Sequence, residues 1–449
     1  MIWYDNFRKP AKKYKAHAPG LRVEFMMDKV FMPAKLSGVM AAPASKSEAH
    51  RRMICAGLTM GETRLDGFMA SSDMAATIRC LKGLGTQVEE NGDVLTIRGG
   101  KPKAGKLPVL DCGESGSTLR FFVPIALSVA GGATFRMHGL LGQRPMEVYR
   151  DLFVPRGVTW RMGVGADCAA ELTVTGRMEA GQYVLPGNVS SQFVSGLLFA
   201  LPLLKGESTL TVLPPVESVG YINMTIEALK QSGIVVKENA PFSWTIPGEQ
   251  SYKAASGRLS GDYSQAAVIL CAGAMGHDTA VSGLETVTTQ GDQAVLRHLK
   301  ALGAGIACEN GTITVKSGQL QGAVLDMRDC PDIAPVLALT CQLAKGESRL
   351  AGCGRLRLKE CDRLAATVKI LNQLGGDAKA QGDDMLIRGV EQLEGGVEID
   401  GCNDHRMVML AALAAAGCRK PVTVKGVEAL NKSWPEFLNV YESLGGIVK

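Results

Sequence analysis

Aromatic side chains are scarce in this 449-residue chain: Phe, Trp and Tyr together make up 5%. Any core must therefore be assembled from Leu, Val, Ile, Ala and Met. Long apolar runs are missing too. A membrane-spanning helix needs roughly 18 or more nearly uncharged residues, whereas the longest stretch here, Met407 to Cys418, is about one buried helix long. No membrane partner is expected. Metal-ligand spacing is absent, since the 12 cysteines include no C-x-x-C and the 6 histidines are scattered. Neither a zinc site nor a disulfide framework fits that pattern. Reduced cysteines used as small core residues in a cytoplasmic protein account for it better, and no cofactor is expected. A one-sided charge is also lacking. The 49 basic and 44 acidic residues give +5, too mild to predict a nucleic-acid partner. Six of the cations (Arg8, Lys9, Lys12, Lys13, Lys15 and Arg22) crowd the first 22 residues against Asp5 alone, leaving 43 of each sign elsewhere. Residues 1–23 lack the apolar stretch of a secretory signal and read as a solvated, disordered basic extension.

What the sequence has is repetition. A small polar loop running into an apolar helix recurs six times: PASKSEAHRRMICAGL, CGESGSTLRFFVPIAL, GNVSSQFVSGLLFAL, SGDYSQAAVILCAGA, DCPDIAPVLALTCQLA and GCNDHRMVMLAALAAA. Marked by Ser45, Ser115, Ser190, Asp262, Asp332 and Asp404, the intervals are about 70, 75, 72, 70 and 72 residues. An amphipathic helix interleaves with each, closed by Gly85, Gly157, Gly233, Gly303, Gly375 and Gly445 as left-handed caps. Most are followed by a hairpin pattern such as Val88 to Ile97, with Asn91-Gly92 at the turn. The sixth repeat stops at Lys449 before its hairpin is complete, and the strand near Leu36 to Ala42 is expected to supply the missing edge. A repeat of about 70 residues is small for an independent core. Two groups of three fit the length better, breaking near Gly261. The expected lobes are residues 44–261, and residues 24–43 with 262–449, with a cleft between them.

Helix N-termini attract anions, and here they carry fixed cations at matching points: Lys46 and Arg51, Arg120, Arg144, Lys359 and Arg363, Arg406, and Lys432. Asp332 and Glu360 stand among them as an acid/base pair, or else as a helix cap and half of a surface ion pair. From the residues alone, the chain reads as a two-lobed enzyme acting on small phosphorylated carboxylates.

The segments SKSEAHR, GESGSTLR, RPM, SSQF, LKECDRL, NDHRM and KSWPEF, in this order and spacing, resemble the 3-phosphoshikimate 1-carboxyvinyltransferase (5-enolpyruvylshikimate-3-phosphate synthase) family from about Leu36 to Lys449. The resemblance implies an α/β (α+β) fold, an inside-out barrel of six βαβαββ repeats, three per lobe. It implies transfer of enolpyruvyl from phosphoenolpyruvate to the 5-hydroxyl of shikimate 3-phosphate, with those two small molecules as the partners of a monomer. By the same resemblance, Lys46, Ser47, Arg51, Ser190, Ser191, Gln192, Ser218, Asp332 and Lys359 hold shikimate 3-phosphate, with Tyr221 nearby. Lys46, Gly116, Arg120, Arg144, Gln192, Arg363, Arg406 and Lys432 bind phosphoenolpyruvate. Asp332, Glu360, Lys46 and Lys432 are the catalytic set, and Gly116 matches members sensitive to glyphosate. Two positions depart from the best-known members, which carry Asn where Glu114 and Arg355 stand; Glu114 is expected to pair with a nearby cation, Arg355 being one option. The alternatives are the sister enzyme acting on UDP-N-acetylglucosamine and an inactive anion-binding homologue. Ser47 directly after Lys46, and the lack of Cys from Gly131 to Arg144, argue against the first. The full cation set argues against the second.

Overall fold

A computed structural model describes residues 28–102 and 105–449; the basic tail at 1–23 lies outside them. The first three repeats contribute helices α1 (Lys46–Leu58), α2 (Ser72–Gly83), α3 (Gly116–Ala130), α4 (Glu147–Phe153), α5 (Ser191–Ala200) and α6 (Val219–Gln231). The last three contribute α7 (Tyr263–Ala274), α8 (Ala294–Ala301), α9 (Ala334–Gln342), α10 (Arg363–Gln373), α11 (His405–Gly417) and α12 (Phe437–Ser443). The side chains of Ser45, Ser115, Ser190, Asp262 and Asp404 accept backbone N–H bonds from the first turns of α1, α3, α5, α7 and α11. These caps explain why five of the six apolar segments start where they do; the sixth, α9, follows a short 3-10 turn and has no side-chain cap. All six closing glycines have positive φ, from 72° at Gly233 to 95° at Gly85, Gly303 and Gly375, the conformation that ends a helix at least cost when no Cβ is present.

Among the described residues the strands form six four-stranded sheets, one per repeat. Their strands bury one face, as in Val94–Arg98, where Leu95 and Ile97 alone are fully covered. Helix α7 by contrast is buried at every residue, and α11 at every residue but Gly417. A helix apolar all round must be enclosed, so helices fill the interior and sheets form the outer wall. The buried apolar side chains form two clusters, one from Ala49 to Leu259 and one joining Phe31, Leu36 and Met40 to Tyr263–Leu444.

The strand that completes the sixth sheet is not the expected one. Lys29–Met32 inserts between Val422–Lys425 and Ile447–Val448, antiparallel to both. Phe31 decides the register: it is fully buried and meets Tyr441 edge-on at 5.5 Å. Ser37–Ala41, which buries only Met40, instead runs parallel to Asp278–Ser282 at the edge of the fourth sheet. The return crossing is equivalent, with Gly257–Arg258 parallel to Leu65–Asp66 in the first sheet. The two crossings meet at Ala44 and Gly261. A Cβ on Gly261 would lie 2.3 Å from the Gly283 carbonyl oxygen, so only glycine lets the backbones pass.

Candidate active site

The opening residues of α1, α3, α5, α7, α10 and α11 line one pocket between the two apolar clusters. Of the residues singled out from the sequence, all but Arg120 and Lys432 lie on its wall: Lys46, Ser47, Arg51, Gly116, Arg144, Ser190, Ser191, Gln192, Ser218, Asp332, Lys359, Glu360, Arg363 and Arg406. Arg120 lines the adjoining recess with Arg144 and Gln192.

Arg363 is the hub. Its Nη1 donates to Asp332 Oδ1 at 2.8 Å, its Nη2 to Glu360 Oε2 at 2.7 Å, and its Nε to Asp404 Oδ2 at 2.7 Å. A guanidinium is suited to this because its donors are fixed in one plane. Lys359 Nζ adds a bond to Asp332 Oδ1 at 2.9 Å. Burial by itself would raise the Asp332 carboxyl, but Lys359, Arg363 and Arg406 outweigh it and hold the group well below the usual carboxylate range. Burial likewise opposes ionisation of Glu360, and Arg363 and Arg144 overcome it. Both carboxylates are charged at neutral pH.

Around them the cations divide into two kinds. Arg51 is fixed by protein groups: Nε donates to Thr225 Oγ1 at 2.7 Å, Nη1 to the Ser47 carbonyl at 2.7 Å and Nη2 to the Tyr221 carbonyl at 2.9 Å. It sits 5.3 and 5.8 Å from the Phe121 and Tyr221 ring centres, and burial draws its pKa down to about 10. Arg120, Arg144, Arg355 and Arg406 each retain a buried Nε that makes no hydrogen bond within the protein. An unmet buried donor costs about 1–3 kcal/mol. Arg120 is drawn down to about 9, by burial first and then by Arg144. Its Nη1 bonds Gln192 Oε1 at 2.7 Å, and Gln192 Nε2 bonds Ser117 Oγ at 2.8 Å. Lys46 Nζ pairs with Asp73 at 2.8 Å, and its backbone N–H donates to Asp262 Oδ2 at 3.0 Å.

A family profile described as EPSP synthase (3-phosphoshikimate 1-carboxyvinyltransferase) matches residues 30–441. The chain belongs to the EPSP synthase family. The 3-phosphoshikimate 1-carboxyvinyltransferase of Clostridium perfringens is 39% identical over 422 residues, covering 94% of this chain and 99% of that protein. The one from Clostridioides difficile is 38% identical over 424 residues, covering 92% and 96%. Among solved structures, EPSP synthase from Acinetobacter baumannii superposes with a TM-score of 0.78 over 94% of this chain and 99% of that one. At 24% identity that likeness speaks for the fold. The enolpyruvyl transferase NikO from Streptomyces tendae, at 16% identity and a TM-score of 0.74 over 94% and 98%, shares it. The chain is an EPSP synthase of the shikimate pathway, with the activity its full-length relatives are named for.

Against this EPSP synthase frame, several details differ from the sequence reading. Glu114 does pair with a cation, but with Lys432 at 2.8 Å rather than with Arg355. Arg355 turns to Ser218 Oγ at 2.6 Å and lies 3.7 Å from Glu217. Lys432 therefore stands beside Glu114, and its other bond goes to the Asn403 carbonyl at 2.7 Å. Of the cysteines, Cys168 and Cys308 are exposed and Cys361 and Cys402 half-buried, so the core-residue account holds for the other eight. Two buried acids make contacts that the sequence does not reveal. Asp404 anchors Arg363; its N-cap position was legible, its ion pair was not. Asp292 accepts from Tyr221 Oη at 2.9 Å, while the same hydroxyl reaches Asp332 Oδ2 at 2.8 Å. Burial and the nearby Asp332 push the Asp292 carboxyl up to about 7. No spacing signal links these three groups, which come from separate repeats.

Gly116 lies on the wall of the site. A Cβ there would lie 2.6 Å from Arg144 Nη1. Gly116→Ala is expected to push Arg144 aside and raise the KM for phosphoenolpyruvate on the order of tenfold. Thermal melting should hold or rise, since Ala favours a helix start-to-interior position over Gly. Steady-state kinetics with phosphoenolpyruvate as the varied substrate check this; an unchanged KM contradicts it.

Proposed function

We propose that Asp332 takes the proton of the 5-hydroxyl of shikimate 3-phosphate, while Glu360 gives a proton to the methylene carbon of phosphoenolpyruvate and later recovers it. The observation that carries the assignment is Arg363, whose single guanidinium bonds both carboxylates and so fixes their separation. In the addition step the 5-oxygen bonds to the central carbon of phosphoenolpyruvate, and the methylene becomes a methyl. In the elimination step that methyl returns its proton and the bond to the phosphate oxygen breaks, releasing phosphate and leaving the enol ether.

Glu360 must be protonated to begin. Held low by Arg363 and Arg144 in the free enzyme, it gains proton affinity once an anionic substrate shares those two cations. Substrate binding thus arms the acid. Ser190 and Ser191 at the start of α5, with Ser47, Arg51, Gln192, Ser218 and Lys359, hold shikimate 3-phosphate in this reading. Arg120, Arg144, Arg363, Arg406 and Lys432 take phosphoenolpyruvate against Gly116, and Lys46 serves both. The two apolar cores act as lobes, residues 44–261 against the rest, whose closure excludes water and strengthens each ionic contact.

The test is phosphate release from phosphoenolpyruvate. Release is expected with shikimate 3-phosphate and absent when UDP-N-acetylglucosamine replaces it; the reverse pattern, or none with either, overturns the reading.

A further inference from the structure

Glu114 ends the loop ahead of α3, two residues before Gly116, and its carboxylate crosses the cleft to the other lobe. Its Oε2 accepts from Lys432 Nζ at 2.8 Å and from Asn403 Nδ2 at 3.2 Å. Lys432 Nζ also donates to the Asn403 carbonyl at 2.7 Å. The ammonium thus spends one proton on each lobe. Asn403 is set for this by a left-handed backbone, φ 49°, preceded by Cys402 at φ 53°. Gly139 gives the carboxylate its room, since a Cβ there would lie 2.6 Å from Glu114 Cδ. The pair is well covered, with the Lys432 side chain 12% exposed and that of Glu114 35%, so water screens it only in part. Three features from separate segments therefore converge on one bond between lobes.

We infer that Glu114 is an internal counterion that holds Lys432 and latches the lobes until phosphoenolpyruvate displaces it. An incoming phosphate or carboxylate on Lys432 meets a carboxylate already bonded there. Two anions on one ammonium repel, and the substrate prevails only by its further contacts with the arginines. Glu114 thereby sets the affinity of the site for phosphoenolpyruvate without touching the reacting atoms. It is a positioning residue that selects for anions able to engage several cations at once, and against smaller ones that rely on Lys432.

This inference rests on the assignment of Lys432 to phosphoenolpyruvate, and its test separates the two. Glu114→Gln keeps the shape and removes the charge. With shikimate 3-phosphate saturating, the KM for phosphoenolpyruvate is expected to fall about fivefold, the ratio set by one partly covered ion pair. The kcat and the KM for shikimate 3-phosphate should move by less than about twofold, because only the competition is relieved. Small-angle scattering of the unliganded variant should give a larger radius of gyration than the parent, and the two should converge when both substrates or their analogues are bound. An unchanged or raised KM for phosphoenolpyruvate, with the parent fully active, overturns the counterion and leaves the assignment standing. A radius of gyration equal to the parent's overturns the latch.

Discussion

Asp332→Asn is expected to lower kcat by about 10²–10⁴-fold, the range over which a positioned general base contributes, with the KM of either substrate changed far less. The amide can keep the local geometry. Its oxygen can stay on Lys359 and Arg363, which now bond Asp332 Oδ1 at 2.9 and 2.8 Å. Its NH₂ can face the Tyr221 hydroxyl, which still has Asp292 to donate to at 2.9 Å. What is lost is the ability to accept a proton. Asp332 is held well below the usual carboxylate range because its cations outweigh burial, so it is ionised at neutral pH. The same cations make it a weak base. On the proposed mechanism, substrate anions draw Lys359 and Arg363 partly away as they bind. If the variant retains more than about a tenth of the parent kcat in the phosphate-release assay, a proton-accepting role for Asp332 is untenable.

The reach of the sequence can be judged residue by residue. The period of about 70, the capping Ser and Asp residues and the closing glycines are local signals, and each was readable because a cap or a left-handed turn needs only its neighbours. The cations gathered in the pocket were readable for a related reason: most lie within a few residues of a helix start, a local signal. Pairings across repeats were not readable. Phe31 in the sixth sheet, Glu114 on Lys432, and Tyr221 between Asp292 and Asp332 join segments far apart in the chain. Which of several strands completes a sheet is decided by side-chain packing in three dimensions. Which of several acids meets a given cation is decided by how distant segments pack in three dimensions. Neither leaves a spacing in the chain.

Arg363→Met is expected to carry a large structural penalty together with loss of activity. The Arg363 side chain is 2% exposed and that of Asp404 fully covered. One guanidinium satisfies Asp404 at 2.7 and 3.2 Å, Asp332 at 2.8 Å and Glu360 at 2.7 Å. Methionine fills much of the volume and bonds none of them. Removing one partner of a buried ion pair costs roughly 3–5 kcal/mol because the remaining charge is stranded. For a lobe of this size that corresponds to a fall in melting temperature on the order of 10 °C. Arg363→Lys should fall between, since one ammonium cannot reach three carboxylates in the plane the guanidinium spans. The pH dependence separates this electrostatic cause from simple repacking. Glu360 and Asp332 lie well below the usual carboxylate range in the parent, with Arg363 prominent among the causes. A lowered carboxyl adds stability that is fully present above the unfolded-state value, near 4, and is lost as pH falls through the folded one. Without Arg363 that contribution shrinks. The gap in melting temperature between parent and Arg363→Met should therefore be widest near neutral pH and narrow as pH drops through about 4. A gap of constant width down to pH 3.5 or so would mean that Arg363 acts by packing and not by charge.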